Sequence, residues 1–305
     1  MKALVTGGAG FIGSHLVERL LARGDDVWVV DNFTAGKRSN LAPFAGSHLE
    51  VVEADIRDAS QVRDVAAGCE VIFHEAAIVS VPYSVEHPQE THDVNIQGTL
   101  NVLEAARHAK VRRLIFATSA AVYGDAPGLP KHEGMVPTPI SPYGVEKLAG
   151  EYYLGVFARL YGVETVALRY FNVFGPRQDP SSAYSGVISI FADRARRGEP
   201  VTIFGDGHAC RDFVYVEDVV QANLLAAETV GVSGRVFNVA RGERTTLNDL
   251  AAMIGRVAGC DLVVKHEAVR SGDIAESVAD ISRARADLAY TPRVGVEDGL
   301  RRLLA

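Results

Sequence analysis

The sequence predicts an α/β protein: a Rossmann-type, doubly wound parallel sheet with a smaller, interleaved α+β substrate lobe. Three observations carry this reading. Short β-rich runs alternate with helical patterns through the first half of the 305-residue chain. A glycine string, TGGAGFIG at 6–13, stands between an apolar run and an amphipathic one, and Asp31 closes the next apolar run. Strands alternating with helices specify parallel pairing.

The strands are expected at Ala3–Thr6, Val27–Val30, Leu49–Val52, Val71–Phe73, Leu114–Ala117 and Thr165–Arg169, with a later strand at Val236–Val239 returning to the same sheet. Helical spacing runs through Ile96, Leu100, Leu103 and Ala106, and again after Ser141. Beyond Gly175 the pattern loosens into Pro-, Gly- and Ser-rich loops. Helices are expected there over Val187–Arg197, Val216–Thr229, Leu247–Val257 and Glu297–Leu303. These features divide the chain into 1–175 and 176–305. The return segment near 213–240 leaves the second lobe mainly at 176–212 and 241–305.

The glycine string is geometric evidence for a dinucleotide. Gly8, Gly10 and Gly13 fit G-x-G-x-x-G, and Gly7, Gly10 and Gly13 fit the wider G-x-x-G-x-x-G. Such spacing gives a tight turn, lets backbone approach a pyrophosphate, and sets the anion on a helix N-terminus. The strand before it, the helix after it and an acid about 20 residues on are the context that confirms the motif. The Asp31 carboxylate suits a ribose hydroxyl and repels a 2′-phosphate, so NAD is expected over NADP. Lys37 and Arg38 read as solvated loop charges.

Composition narrows the remaining classes. A chain of this length, 48% hydrophobic, can bury a large core. Its three cysteines, Cys69, Cys210 and Cys260, are widely spaced and form no C-x-x-C, so neither a disulfide framework nor a structural metal site is expected. The formal charge of −7 disfavours broad nucleic-acid binding. No apolar run is long enough to cross a bilayer, and the first strand starts at Lys2 or Ala3, leaving no room for a targeting segment. A cytoplasmic location is the expectation.

The polar residues that bear chemistry fall at strand ends. Asp31, Asp55, Ser119 and Asn172 each lie at or just beyond an apolar run, where open parallel sheets bind ligands. Asp55-Ile56 is placed to hold an adenine ring, and His74–Ala77 offers small residues where a cofactor would pass. Tyr143 and Lys147 are spaced one helical turn apart after Pro142. An ammonium there favours the phenolate and is expected to lower the tyrosine pKa, making Tyr143 a usable base. Ser119 would share its substrate hydroxyl. Arg211 and Arg270 stand in Gly-rich contexts suited to bidentate phosphate recognition. Phe204 is a candidate to pack on a base.

Taken together, TGGAGFIG (6–13), DN (31–32), DIRD (55–58), HEAA (74–77), SAAVYG (119–124), SPYGVEK (141–147), RYFNVFGPRQDP (169–180), GDGHACRDFVYVEDV (205–219) and RSGD (270–273) resemble the extended short-chain dehydrogenase/reductases of the nucleotide-sugar epimerase and dehydratase family, over nearly the whole chain. The resemblance implies a catalytic Ser119, Tyr143 and Lys147. It implies NAD contacts from Gly7, Gly10, Phe11, Ile12, Gly13, Asp31, Asn32, Asp55, Ile56, Ala76, Asn95, Tyr143, Lys147 and Tyr170. For a UDP-sugar it implies Ser119, Asn172, Val187, Thr202, Phe204, Arg211, Arg270, Asp273 and Ser277.

Family dehydratases and decarboxylases carry acids where this chain has Ala120-Ala121, and alanines transfer no protons. C4 epimerisation through a 4-keto intermediate is therefore the expected reaction, with tightly retained NAD. In UDP-galactose 4-epimerases the residue four after the Asp of R-x-G-D borders the sugar. Here it is small Ser277, which implies room for an acetamido group and a UDP-N-acetylglucosamine substrate from polysaccharide pathways. UDP-glucose is a second expected substrate. UDP-glucuronate, with Arg177 or nearby amides as carboxylate ligand, is the alternative, and a non-catalytic NAD-binding regulator is the reading from another class. A homodimer is also implied, pairing helices near 90–109 and 143–161 through Leu100, Leu103, Leu154 and Phe157.

Overall fold

A computed structural model describes residues 1–46, 48–179, 186–269 and 276–305. Its centre is a seven-stranded parallel sheet built from β1 (Lys2–Thr6), β2 (Asp26–Asp31), β3 (Leu49–Glu53), β4 (Val71–His74), β5 (Arg113–Ser119) and β6 (Glu164–Tyr170), with a seventh strand, Arg235–Val239, beside β6. In space the order runs β3-β2-β1-β4-β5-β6 and then the return strand. The order reverses between β1 and β4, which opens a crevice at the carboxyl ends of these two strands.

Period-two burial sorts the strand residues onto two faces. Val5, Phe73 and Ile115 join a core with Leu16 and Leu20 of the helix Phe11–Ala22 and Val219 of the helix Val216–Glu228. Leu4, Ile72 and Phe116 point the other way, against Val62 of Ala59–Ala66, Leu103 of Thr99–His108 and Leu154 of Pro142–Tyr161. Leu103, Leu154 and Phe157 are buried within this core, and Leu100 packs on its edge. That corrects the sequence expectation for Leu103, Leu154 and Phe157, which the sheet of their own chain covers in place of a partner chain.

The segment expected to be one helix around Ile96–Ala106 starts with a wider π-type turn over Asp93–Gly98 before the α-helix Thr99–His108. The helix Pro142–Tyr161 is more regular. Ser141 caps it by accepting the Gly144 N–H, Pro142 occupies its first turn, and Gly162 ends it at φ 68°.

The second lobe is a helical layer on short strands. Its strands are β7 (Asn172–Phe174), β8 (Val201–Phe204), β9 (Cys210–Arg211) and β10 (Phe213–Tyr215), and, after the return strand β11 (Arg235–Val239) of the central sheet, β12 (Thr245–Thr246), β13 (Val264–Glu267) and β14 (Glu276–Ser277). β7 pairs with β10, β8 with β13, and β9 lies between β12 and β14. Phe191 of the helix Val187–Arg197, Ile254 of Leu247–Ala258 and Leu300 of Val296–Leu304 share one apolar cluster. The chain crosses from sheet to lobe and back, because β11 pairs residue by residue with β6. All three cysteines are free.

Candidate functional site

The glycine loop is shaped by contacts that forbid side chains. Gly7 has φ +69°, and a Cβ there would stand 2.8 Å from the Ala76 Cα. At Gly13 a Cβ would fall 2.2 Å from the Gly7 carbonyl oxygen, so the helix start and the strand end touch backbone to backbone. Gly10 precedes the helix Phe11–Ala22 and no side chain caps it. The N–H groups of Phe11 and Ile12 are thereby left for an anion.

Asp31 is tied to the same loop. Its carboxylate accepts the Ala9 N–H at 2.9 Å and the Phe33 N–H at 2.8 Å, while burial pushes its pKa up against those bonds. Asn32 donates to Asp55 at 2.9 Å. The bidentate Arg57 holds the Asp55 carboxyl at about 2. Ile56 is buried beneath Gly98, where a Cβ would collide with it. Ala76 donates its N–H to the Thr6 hydroxyl at 3.3 Å. This cradle fits a dinucleotide: a close-approach loop, an uncapped helix start and a carboxylate at the next strand end. Asn95 is spoken for. It accepts from the Ile78 N–H and donates to the Ile78 carbonyl and to Glu146, which makes it a brace for the loop after β4.

Across the crevice, Ser119 ends β5 opposite Tyr170, which ends β6. Ser119 hydrogen-bonds the Tyr143 phenol and accepts the Ala121 N–H at 3.1 Å. Gly144 lies against the Ala121 carbonyl, where a Cβ would stand at 2.8 Å, so the start of the helix Pro142–Tyr161 packs directly on the turn after Ser119. Lys147, one turn after Tyr143, donates to the Ala117 carbonyl at 2.8 Å and lies 5.9 Å from the tyrosine ring centroid. The structure thus brings together the three residues that the sequence pattern pairs.

Their electrostatics correct one expectation. Burial pushes Tyr143 up to about 12, helped by the charges of Glu146 and Glu75 and opposed by the Ser119 bond. Lys147 is not among the groups that set this shift, so the expected lowering is not seen. Burial draws Lys147 itself down to about 8, against the pull of Glu75 and Glu146.

In the second lobe, Arg211 on β9 pairs with Thr245 on one side and Ser277 on the other. Buried Asp212 braces this junction: its carboxylate accepts from the N–H groups of Arg241, Gly242 and Ala279, and its carbonyl from Asn172. Burial raises its pKa to about 6. Thr202 and Phe204 lie on β8, and Val187 opens its helix directly after Gly186. Arg270 and Asp273 lie outside the described residues. Arg177, the expected carboxylate ligand of the glucuronate alternative, is instead paired with Glu18 and bonded to His15. Lys37 pairs with Asp179 at 2.6 Å and Arg38 with Glu53, both with side chains exposed to solvent.

Sequence reasoning passed over Glu75, which accepts the Tyr170 hydroxyl at 2.7 Å. Its signal was an acid placed immediately after a short strand that is apolar up to its last residue, His74. Asp212 was equally silent, since only the fold shows that the backbone of Arg241–Gly242 and of Ala279 converges on it.

Comparison with known proteins agrees with this geometry. Residues 3–240 match the NAD dependent epimerase/dehydratase family. The UDP-glucose 4-epimerase of Mycolicibacterium smegmatis is 41% identical, covering 98% of this chain and 96% of its own. Among solved structures, the UDP-glucose 4-epimerase of Thermotoga maritima with UDP-glucose superposes with a TM-score of 0.94 at 41% identity, covering 100% of this chain and 97% of that one. The UDP-N-acetylglucosamine 4-epimerase of Methanobrevibacter ruminantium, in complex with UDP-N-acetylmuramic acid, gives 0.96 at 39%, covering 99% and 96%. With its glycine loop, its strand-end serine and its Tyr-Lys helix in this register, the chain belongs to the NAD dependent epimerase/dehydratase family.

Proposed function

We propose that this chain is an NAD-dependent UDP-hexose 4-epimerase that takes UDP-N-acetylglucosamine in preference to UDP-glucose. The observation that carries the reaction type is the pairing of Ser119 with Tyr143 beside two alanines, Ala120 and Ala121. Elimination or decarboxylation needs an acid or base at that turn, and alanine supplies neither. The relatives with 4-epimerase names support the same reading.

NAD, when bound, supplies a reversible hydride acceptor for the sugar C4 position. The chain supplies the rest. Ser119 orients the O4 hydroxyl, and Tyr143 takes its proton and later returns one to the same oxygen. Lys147 stabilises the phenolate form of Tyr143 by its charge. Arg211, with Arg270, holds the diphosphate while the 4-keto sugar turns to offer its other face. The uncapped start of the helix Phe11–Ala22 and Asp31 hold the cofactor throughout, so no net oxidation occurs.

The sugar preference rests on Ser277. It pairs with Arg211 across adjacent strands, so a small side chain borders the place where a diphosphate-linked sugar would sit. Arg177 counts against the glucuronate alternative, being engaged by Glu18 and His15. The test is turnover without added cofactor on UDP-N-acetylglucosamine, UDP-glucose and UDP-glucuronate side by side. Interconversion of the first pair of C4 epimers at the highest kcat/KM is expected. Binding without conversion, or accumulating reduced cofactor, would overturn the assignment.

The helix Pro142–Tyr161 also leaves Val145, Tyr152, Tyr153 and Leu160 exposed on one face. A homodimer through that face is part of the proposal, in place of Leu103, Leu154 and Phe157, which are buried within the chain.

A further inference from the structure

Glu75 is a charged side chain in the catalytic row that the reaction, as derived, leaves unused. It follows β4 directly, and the neighbouring strand ends contribute Ala117, Ser119 and Tyr170. One carboxylate oxygen accepts the Tyr170 hydroxyl at 2.7 Å, and that hydroxyl accepts from Asn223 Nδ2 at 2.7 Å. Asn223 is fully buried and anchored to its own helix through the Val219 carbonyl at 3.0 Å. The carboxylate is therefore fixed by a relay that begins in the core.

The groups facing it come from every packed element. Lys147 and Tyr143 both feel the Glu75 charge from the helix Pro142–Tyr161. Glu146, on that helix, has its two oxygens taken by Thr91 at 2.6 Å and Asn95 at 2.7 Å, which commits it to the brace. Tyr170 comes from β6. His74, the preceding residue, is held between the hydroxyls of Thr6 and Thr99, and burial keeps it neutral.

We propose that Glu75 is a positioning residue for the Tyr143–Lys147 pair: its carboxylate, fixed by Tyr170 and Asn223, supplies the counter-charge that keeps the buried Lys147 ammonium protonated in the working range. The proposal rests on the roles assigned above to Tyr143 and Lys147. Burial alone drives a lysine toward its neutral form, and a neutral amine offers a phenolate no charge. A fixed carboxylate in a poorly solvated crevice opposes that drift more strongly than it would in water. Burial pushes the Glu75 carboxyl up and draws the Lys147 ammonium down, and the opposite charge of each opposes the shift of the other, so the two hold one another ionised.

The experiment is Glu75→Gln in the NAD-loaded enzyme, since the amide oxygen still accepts from Tyr170 and only the charge is lost. The alkaline limb of the kcat profile should move to lower pH, on the order of one unit, because Lys147 sheds its proton earlier without the Glu75 charge. At the optimum kcat should fall about tenfold with KM little changed. Glu75→Asp keeps the charge, so its alkaline limb should stay in place whatever its kcat. An unmoved alkaline limb in Glu75→Gln would overturn the proposal. If Glu75→Gln does not fold, Tyr170→Phe removes the hydroxyl that stabilises the carboxylate and should shift the alkaline limb the same way. Failure of the underlying reading is separately visible, because only then would Tyr143→Phe retain turnover.

Discussion

Ser277 lies directly opposite Arg211, paired in register across the parallel strands β14 and β9. Neighbouring strands are about 4.7–4.9 Å apart, so a side chain at 277 borders whatever sugar hangs from a diphosphate on Arg211. Ser277→Tyr should therefore lower kcat/KM for UDP-N-acetylglucosamine by about tenfold or more relative to UDP-glucose, because a bulky wall rejects only the larger ligand. Competition assays on the two sugars read the ratio. Equal losses on both place the gate elsewhere.

Tyr143→Phe keeps the ring and its packing but removes the proton carrier that Ser119 bonds. Turnover should drop by about 10²–10⁴-fold, while NAD still copurifies, since the glycine loop and Asp31 are untouched. Measuring bound NAD and kcat on the same preparation separates the two effects. Near-normal turnover removes Tyr143 from the mechanism.

His74 makes the fold acid-sensitive. It is fully buried between Thr6 and Thr99, and burial lowers its pKa from 6.5 to about 3. Above pH 6.5 both folded and unfolded states hold it neutral, so nothing is lost. Below that, only the unfolded chain takes up the proton, and stability falls by about 1.4 kcal/mol per pH unit from this group until the folded pKa is reached. His74→Gln should be less stable at neutral pH but show a shallower decline between pH 6 and 4. Urea unfolding across that range tests it, and parallel slopes would exclude His74 as the cause.

Arg113 is the largest fully buried side chain. Its guanidinium bonds Glu164 at 2.7 Å and caps the carbonyls of Ala226 and Thr229 at the end of the helix Val216–Glu228. Arg113→Met should cost about 2–4 kcal/mol, since those carbonyls would remain buried without donors. Thermal unfolding reads this as a Tm lower by about 5–15 °C. A shift within a degree or two would show that water replaces the cap.

The exposed face of the helix Pro142–Tyr161 carries Tyr152 and Leu160, each more than 60% accessible. Tyr152→Asp with Leu160→Glu should convert a dimer to a monomer by light scattering at micromolar concentration. A parent protein already monomeric there would end the dimer proposal.

Much of this molecule was legible in its sequence because the signals were local. The spacing of Gly7, Gly10 and Gly13 records contacts that a Cβ would break, and the helix Pro142–Tyr161 is announced by Ser141, Pro142 and Gly162. The triad of Ser119, Tyr143 and Lys147 was legible for the same reason, since strand end and helical turn fix their places. The sign of the Tyr143 shift was not, because burial and the two nearby acids arise only in three dimensions. Nor could periodicity tell that Leu103, Leu154 and Phe157 face the sheet of their own chain while Tyr152 faces out. Asp212 gathers donors from two separate segments, Arg241–Gly242 and Ala279, a convergence with no linear trace.

The return of β11 to β6 governs how this chain can be made and cut. As it leaves the ribosome, the sheet lacks its last strand until residue 239 is free, by which time part of the second lobe has already been synthesised. Until then β6 presents an open row of backbone donors and acceptors, the kind of edge on which other chains pair. A fragment ending at residue 175 keeps that edge permanently. The two lobes are therefore one unit of biogenesis, and only a deletion that carries residues 235–239 back to β6 by a new linker would give a separable dinucleotide-binding half.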